Sequence, residues 1–548
     1  MKRLIMKLFY ASVFFSIMLL TSRCRKLEDT SLVKPSNISV NGASGLSAFQ
    51  GPKATPMQNM LGINGYEWNF LQDPNNVNDP SKVYAPKLAL INSFTQFRHY
   101  LDWSKIESTQ GNYTFNPCYS GGWNLDAMYQ AAKQDTLLML ADIKTCPQWL
   151  VNTYPANLQD SEDVPAPYGL NRSDPASYIL QAKAAFQFAA RYGSNKNVDP
   201  SLVSVDTLPR WTADPQNVVK IGLNLVNYIE CDNERDKWWK GPQAQQSPQE
   251  YAADMSAFYD GDKGKLGKGV GVKAADPHIQ VVMGGLATAN VQYVKDMVAW
   301  CQANRGYRAD GSIDLCFDVI NYHLYSNNGN VLTNIQSTVG MAPELSIVGG
   351  IADGFVKEAA GLSNHPPVWV TENGYDINPG SPQRAPAIGN KSPLLVQADW
   401  TIRSCLLYAR RGIDRLFFYQ LFDDTPNGLG TYQTSGLVND NLTRRPAADY
   451  VLQVKNLMSN YKYRTTLNTD PLVDEYTLPN KNPIYVLTIP DQVGRKGTYV
   501  LNFPKGTKSA TISTLTVGSS VMTKTTVKTA SAKLTVNVSE TPVFVQAN

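Results

Sequence analysis

The sequence predicts an α/β fold, a (β/α)8 TIM barrel followed by a C-terminal all-β sandwich, and three observations predict it. From about Met57 to Ser459, short β-prone runs alternate with longer amphipathic segments, and the strand-like runs number eight. Beyond Tyr461 helical periodicity stops, and short Val/Thr/Tyr-rich runs recur between Gly, Pro and Lys turns. The chain has 548 residues, 43% apolar and 18% charged, which is material for a sizeable core rather than for a disordered polypeptide.

Taken in order, Lys2, Arg3 and Lys7 precede an apolar run from Leu8 to Leu20 that exits through Thr21-Ser22-Arg23-Cys24. A basic start and an apolar stretch of this length read as a secretory signal over 1–23, too short for a transmembrane span. The surroundings of Cys24 resemble the lipobox of bacterial lipoproteins, although Arg23 stands where that motif prefers a small residue. The resemblance implies lipidation at Cys24 and a place in the bacterial cell envelope, as an outer-membrane lipoprotein or in the periplasm. Residues 24–56, rich in Ser, Asn, Gly and Pro, read as a tether.

The barrel is expected over 57–460. Its candidate strands are Leu61–Gly65, Ser93–Arg98, Leu137–Ile143, Asn227–Asp232, Ile279–Met283, Val319–Leu324, Val368–Thr371 and Leu416–Gln420. Between them Trp123–Ala132, Pro175–Tyr192, Pro248–Asp260, Asn290–Gln302 and Leu394–Arg411 carry apolar residues at helical spacing. Asn152–Ser173 and Asn195–Gln216 read as long loop insertions. The sandwich is expected over 461–548, with strands at Ile484–Ile489, Thr498–Phe503, Ser509–Leu515, Thr523–Val527, Lys533–Val538 and Val543–Val545. Cys118, Cys146, Cys231, Cys301, Cys316 and Cys405 are irregularly spaced and are expected as buried free thiols, with Cys301 and Cys316 the nearest candidate pair.

Charge and composition narrow the function. Fifty Lys and Arg nearly cancel 46 Asp and Glu, and no basic run exceeds a pair, so no electrostatic footprint for nucleic acid exists. Twenty-eight Tyr and 10 Trp stand against 4 His, a balance suited to stacking on flat neutral ligands and not to a multi-histidine metal centre.

Two segments carry the chemistry. Tyr228-Ile229-Glu230-Cys231-Asp232-Asn233-Glu234 ends the fourth strand, and Val368-Trp369-Val370-Thr371-Glu372-Asn373-Gly374 ends the seventh. In a barrel the carboxyl ends of the strands share one mouth, so Glu234 and Glu372 are expected to face each other across a substrate. Paired carboxyl groups are the equipment of glycoside hydrolysis: one protonates the leaving oxygen while the other attacks or assists at the anomeric carbon.

With these residues in view the chain resembles clan A of the glycoside hydrolases, retaining (β/α)8 enzymes, and in its strand-eight run Phe417-Phe418-Tyr419-Gln420-Leu421-Phe422-Asp423-Asp424 it is nearest to family thirty-nine and its relatives. The resemblance implies that Glu234 is the acid/base, that Glu372 is the nucleophile and that Asn233 bonds a sugar 2-hydroxyl. It implies further that Arg98, closing strand two, lies beside the nucleophile, and that His323 and Tyr325, ending strand six, flank it. The stretch Trp103-Ser104-Lys105-Ile106-Glu107, followed by Gly111-Asn112-Tyr113-Thr114-Phe115, and the tail Glu540-Thr541-Pro542-Val543-Phe544-Val545 also resemble that group. One departure matters: where many clan members end strand eight with a tryptophan, Tyr419, Gln420 and Phe422 stand here, and Gln420 is taken as a substrate contact.

Trp238 and Trp239 are candidate sugar platforms, with Trp68, Trp123 and Trp149 behind them, since an indole face gains apolar burial and dispersion from a sugar's C–H face. Glu230 and Asp232 read as structural, and Arg235-Asp236-Lys237 as a solvated loop. The expectation is a retaining glycosidase acting on a β-linked oligo- or polysaccharide, needing no metal or organic cofactor and meeting a membrane only through a lipid on Cys24. The competing readings are a non-catalytic glycan-binding lipoprotein and a transglycosylase with the same residues.

Overall fold

In the computed structural model the described residues are 54–548, apart from 77–81, 213–215, 331–332 and 334. The signal over 1–23, Cys24 and all but the last residues of the tether lie outside them. Eight parallel strands form the first sheet: β1 (Gly62–Gly65), β2 (Gln96–Asp102), β3 (Leu138–Lys144), β4 (Tyr228–Cys231), β5 (Gln280–Met283), β6 (Ile320–His323), β7 (Val368–Glu372) and β8 (Arg415–Phe418). Their order is β5-β4-β3-β2-β1-β8-β7-β6. The two edges meet through the bridges Val282 to Val319 and Leu286 to Tyr322, so the sheet is a nearly closed barrel.

The helices of seven or more residues among those described follow the strands one by one: α1 (Ala85–Ile91), α2 (Leu125–Gln134), α3 (Ile179–Tyr192), α4 (Pro248–Asp260), α5 (Val291–Asn304), α6 (Val348–Gly361), α7 (Pro393–Arg410) and α8 (Pro446–Met458). Their boundaries follow from local chemistry. At α4, Ser247 and Glu250 form a reciprocal capping box, Pro248 occupies the first turn where no N–H is missed, and Gly261 closes the helix at φ 66°. Pro175–Tyr192, expected as one helix, is a 3-10 turn over Pro175–Tyr178 that runs into α3.

The strands are one-sided in what they place at the centre. Leu140, Val282, Val319, Trp369 and Phe417 form an apolar plug. Two residues further along β1, β2, β3, β6 and β7, the period-two side chains become Asn64, Arg98, Asp142, Asn321 and Thr371, all buried. Strand β2 does not end at Arg98, as its sequence suggested. It runs on to Asp102, paired throughout with β3, so Arg98 stands inside the barrel and not at its lip.

After α8 come two antiparallel sheets. One has the order β14-β13-β16-β11-β10-β9 and the other pairs β12 with β15. Their strands are β9 (Lys462–Thr469), β10 (Leu472–Thr477), β11 (Ile484–Thr488), β12 (Lys496–Asn502), β13 (Ser509–Thr514), β14 (Thr523–Lys528), β15 (Lys533–Ser539) and β16 (Val543–Ala547). The sequence reading missed β9 and β10, which are polar and place Asp474 and Glu475 mid-strand. Asp474 is paired with Arg410 of α7 and Glu475 lies 3.2 Å from Arg464, which is how these carboxylates are tolerated in a sheet. The sandwich shares a core with the barrel through Tyr476, Ile484, Val486, Met522 and Phe544. The six described cysteines are buried and unbridged, with the sulfurs of Cys301 and Cys316 3.4 Å apart. No helix among the described residues is long and apolar enough to cross a membrane.

Phe544 is 1% exposed within this shared core. Phe544→Ala is therefore expected to cost about 3–5 kcal/mol of stability. Chemical unfolding followed by fluorescence checks this, and a loss under about 1 kcal/mol would show that the interface is not packed as described.

Candidate active site

At the carboxyl end of the barrel strands lies a cleft of about 600 Å³, with Glu234, Glu372, Asn233, His323 and Tyr325 in its lining. The backbone around Glu234 is unusual. Asp232 and Glu234 both adopt left-handed φ, 65° and 54°, on either side of Asn233. Each such residue costs about 1–2 kcal/mol, so the conformation must be held. The Asn233 N–H donates to Asp232 at 2.7 Å, and the Glu234 N–H donates to the Gly285 carbonyl at 3.1 Å.

The run expected as a solvated loop is what locks this turn. Arg235, Asp236 and Lys237 are at most 3% exposed. Arg235 pairs with Asp232 at 3.0 Å and donates to the carbonyls of Glu162 and Asp163, each at 3.1 Å. Asp236 accepts the N–H groups of Ala287 and Thr288, each at 2.9 Å, and Lys237 pairs with Glu162 at 3.0 Å. Three charges in sequence thus bind the loop after β4 to the loops after β3 and β5, which composition alone could not distinguish from a wet surface.

Arg98 supplies the charge beneath the cleft. Its guanidinium donates to both oxygens of Glu230 at 2.6 and 2.9 Å, to Asp142 at 2.9 Å, to Asn233 Oδ1 at 2.8 Å, to Asn64 at 3.2 Å and to Glu372 Oε1 at 3.1 Å. Because Asn233 accepts through its oxygen, its amide N–H groups remain for the cleft. Glu230 is structural in this sense, the bidentate partner of a buried cation.

Glu372 also accepts from Tyr100 at Oε1, 2.5 Å, and from Tyr325 at Oε2, 2.9 Å. Burial raises its pKa, but the charges of His323 and Arg98 and these two hydroxyls outweigh burial and hold it below the usual carboxyl value. Glu234 moves the other way: burial first, then the Glu372 charge, raise it against the lowering pull of His323. Its side chain is 19% exposed against 9% for Glu372, so it stands on the solvent side of the pair.

His323 joins the two. Its Nδ1 lies 2.8 Å from Glu234 Oε1 and 3.4 Å from Glu372 Oε1, while Nε2 meets the Thr371 hydroxyl at 3.0 Å. Burial lowers its pKa, but the two carboxyl groups, Glu372 first, carry it above 6.5. The ring fits only because Gly285 has no side chain: a Cβ there would lie 2.0 Å from His323 Nε2. Glu234, His323 and Glu372 each offer one ligand atom within 4.8 Å of the others, a cluster that can hold a cation as well as share a proton. The Arg98 guanidinium already supplies a fixed positive charge there.

The other expected contacts divide. Trp239 lines the cleft; Trp238, perpendicular to it and 64% exposed, faces a separate depression beside the starts of α4 and α5. Gln420 is 3% exposed and not in the cleft wall, whereas its neighbour Tyr419 is. Trp68 stacks on Tyr66 at 4.1 Å, and Trp149 packs edge-on to Trp103, so neither is a cleft platform, and Trp123 packs against the barrel core. The Trp103 to Glu107 motif is a brace: Glu107 accepts from Trp103 Nε1 at 2.6 Å and from the Gly111 N–H at 2.7 Å. The reading missed Tyr66, Tyr100 and Tyr432, which join Tyr419 as cleft aromatics. Tyr66 and Tyr100 follow Asn64 and Arg98 by two residues, a signal available in the sequence; Tyr432 sits in an irregular loop and had none.

No protein-family model and no curated protein matches this chain. Solved structures match its fold. A family 39 glycoside hydrolase from the gut symbiont Bacteroides cellulosilyticus is 16% identical, with 91% of this chain and 83% of that chain covered and a TM-score of 0.59. A glucosidase from Croceicoccus marinus is 12% identical, with coverage of 90% and 96% and a TM-score of 0.50. A family 30 subfamily 8 xylanase from Clostridium acetobutylicum is 11% identical, with coverage of 90% and 97% and a TM-score of 0.50. At these identities the likeness is one of fold.

The geometry predicts a titration. Among the four histidines, His323 should titrate above 6.5 in histidine-labelled protein followed by NMR, and Glu372→Gln should lower its value by removing the charge that raises it most. Gly285→Ala should displace the ring and abolish that coupling. A His323 that titrates normally in the wild type would contradict the arrangement.

Proposed function

We propose that the protein is a retaining glycoside hydrolase acting on a β-linked glycan, with Glu372 as nucleophile and Glu234 as acid/base. The observation that carries this is the pair itself: two glutamates from the ends of β4 and β7, with carboxyl oxygens within 4.8 Å and pKa values pushed in opposite directions. Two carboxyl groups with the same intrinsic chemistry take two roles when their surroundings separate them. Oxygens this close suit direct attack by one group, whereas inversion places a water between carboxyl groups roughly 6.5–9.5 Å apart.

In this reading Glu372 Oε2, which carries only the Tyr325 hydroxyl, is the oxygen that attacks the anomeric carbon, while Oε1 is held by Arg98 and Tyr100. Glu234, protonated and nearer solvent, gives its proton to the leaving oxygen. As the glycosyl-enzyme forms, the Glu372 charge disappears and the Glu234 carboxylate, now ionised, activates water from the same side. His323 lies against both groups through Nδ1 and lowers the pKa of each, while Glu234 regains its proton from the attacking water. The amide of Asn233 faces the cleft to bond a sugar hydroxyl. The leader-like residues 1–23 and Cys24 lead us to put this chemistry in the cell envelope.

The test begins with a panel of β-linked polysaccharides and 4-nitrophenyl β-glycosides. Glu372→Gln is expected to lose about 10³-fold or more in kcat/KM. With a good aryl leaving group Glu234→Ala should still form the glycosyl-enzyme, and azide should restore its turnover by replacing the missing base-activated water. NMR of the first product should show retained configuration; inversion, or unchanged hydrolysis in Glu372→Gln, would overturn the proposal. Product analysis in water separates hydrolysis from glycosyl transfer.

The pH profile follows from the same shifts. Activity needs Glu372 ionised and Glu234 protonated, so the profile is a bell with its acid limb below the usual carboxyl value of 4.5 and its alkaline limb above it. His323 lowers both carboxyl groups, so His323→Asn is expected to move both limbs to higher pH, read from kcat/KM against pH.

A further inference from the structure

Tyr432 lies in the loop between β8 and α8 and lines the cleft, with 38% of its surface exposed. Its ring centroid is 4.9 Å from that of Tyr325, whose hydroxyl donates to Glu372, and 6.0 Å from that of Tyr419. Burial, then the carboxyl groups of Glu234, Glu372 and Asp376, push its hydroxyl up, so the ring stands within electrostatic reach of both glutamates. Gln383, also in the cleft lining, accepts from Asn327 at 2.8 Å.

The backbone at Tyr432 is left-handed, φ 68°. A bulky residue keeps that conformation only where its surroundings impose it. Asp376 imposes it. This carboxylate, fully buried four residues beyond Glu372, accepts the Tyr432 N–H at 2.8 Å and the Thr434 N–H at 3.1 Å, together with the Ser381 hydroxyl. The Tyr432 carbonyl accepts from the Ser435 hydroxyl at 2.9 Å. The loop after β7 therefore fixes the loop after β8, and it fixes there a side chain that lines the cleft. A glycine or asparagine would make the same turn without strain. The strain is spent on presenting a ring.

We propose that Tyr432 is a specificity-determining platform for the sugar bound between the two glutamates, and that Asp376 is its positioning residue. The inference rests on the glycosidase reading. A pyranose ring lays its C–H face on the phenol and gains burial and dispersion there, while the phenol also packs, tilted by 50°, on Tyr325, which donates to the nucleophile.

The experiment measures kcat/KM on whichever 4-nitrophenyl β-glycoside the wild type cleaves fastest. Y432A is expected to lose about 10- to 100-fold, Y432F to stay within about threefold, and Y432W to recover much of the loss, because the face and not the hydroxyl makes the contact. D376N is expected to fall in the same direction, and the double variant Y432A/D376N to be no worse than Y432A, since Asp376 acts through the ring. If Y432A does not fold, as judged by its thermal unfolding, Y432L keeps bulk without an aromatic face and decides in the same terms. Y432A or Y432L within twofold of wild type overturns the platform, and Y432F as damaged as Y432A overturns stacking in favour of the hydroxyl. Losses that add in the double variant overturn the positioning role. Glu372→Gln separates the two levels: if it hydrolyses normally the glycosidase reading falls, whereas if it is dead and Y432A is not, only the platform falls. A wild type that cleaves no glycoside or polysaccharide overturns both.

Discussion

The structure depends on a single cation at the centre of the barrel. Arg98 is fully buried and bonded to side chains of β1, β3, β4, the turn after β4, and β7, so one guanidinium ties β2 to β4 and β7, with which it does not pair, as well as to its neighbours β1 and β3. Removing such a charge from water is costly and is offset only if every donor is met and opposite charge is close. Here every donor group is met, and the surplus negative charge is relieved at Asp142. Its carboxyl is driven well above the usual range by burial, with Arg98 opposing this and Glu230 adding to it.

That arrangement explains why two glutamates at one mouth behave differently. Glu372 is in direct contact with Arg98 and takes two tyrosine hydroxyls, whereas Glu234 has the imidazole as its near partner and the Glu372 charge beyond it. The difference is not in the residues but in which of them touches the central cation. The same cation orients Asn233 by occupying its amide oxygen. Around this rigid floor the loops are fastened by other charges: Arg235, Asp236 and Lys237 hold the turn after β4, and Asp376 holds the loops after β7 and β8. The aromatic walls are mounted on these clamps.

Much of this was legible in the chain. The eight barrel strands appear within a few residues of where alternation put them, since parallel strands buried on both faces write continuous apolar runs. The strands β9 and β10 escaped because Asp474 and Glu475 break the apolar pattern, and their partners Arg410 and Arg464 lie in another element or another turn of chain. Glu234, Glu372, Asn233, Arg98, His323 and Tyr325 come together because each sits at or near a strand end, and strand ends converge in a barrel. Trp238 and Gln420 do not join them in the cleft wall, since closeness in sequence to a site residue says nothing about which way a side chain faces once the strand has ended.

Readable along the chain are the groups and the scaffold that gathers them: eight alternating strands, a sandwich behind them, and two glutamates at the ends of the fourth and seventh strands. Periodicity and end-of-strand position are local properties, and local properties can be read along a chain. Folding in three dimensions is what buries Arg98 inside the barrel, turns Asp232 and Glu234 left-handed, sets Gly285 where an imidazole needs room, and brings Tyr432 into the cleft lining. Each of these is a relation between residues far apart in sequence, fixed by packing and by the need to pair buried charge, and no single segment carries it.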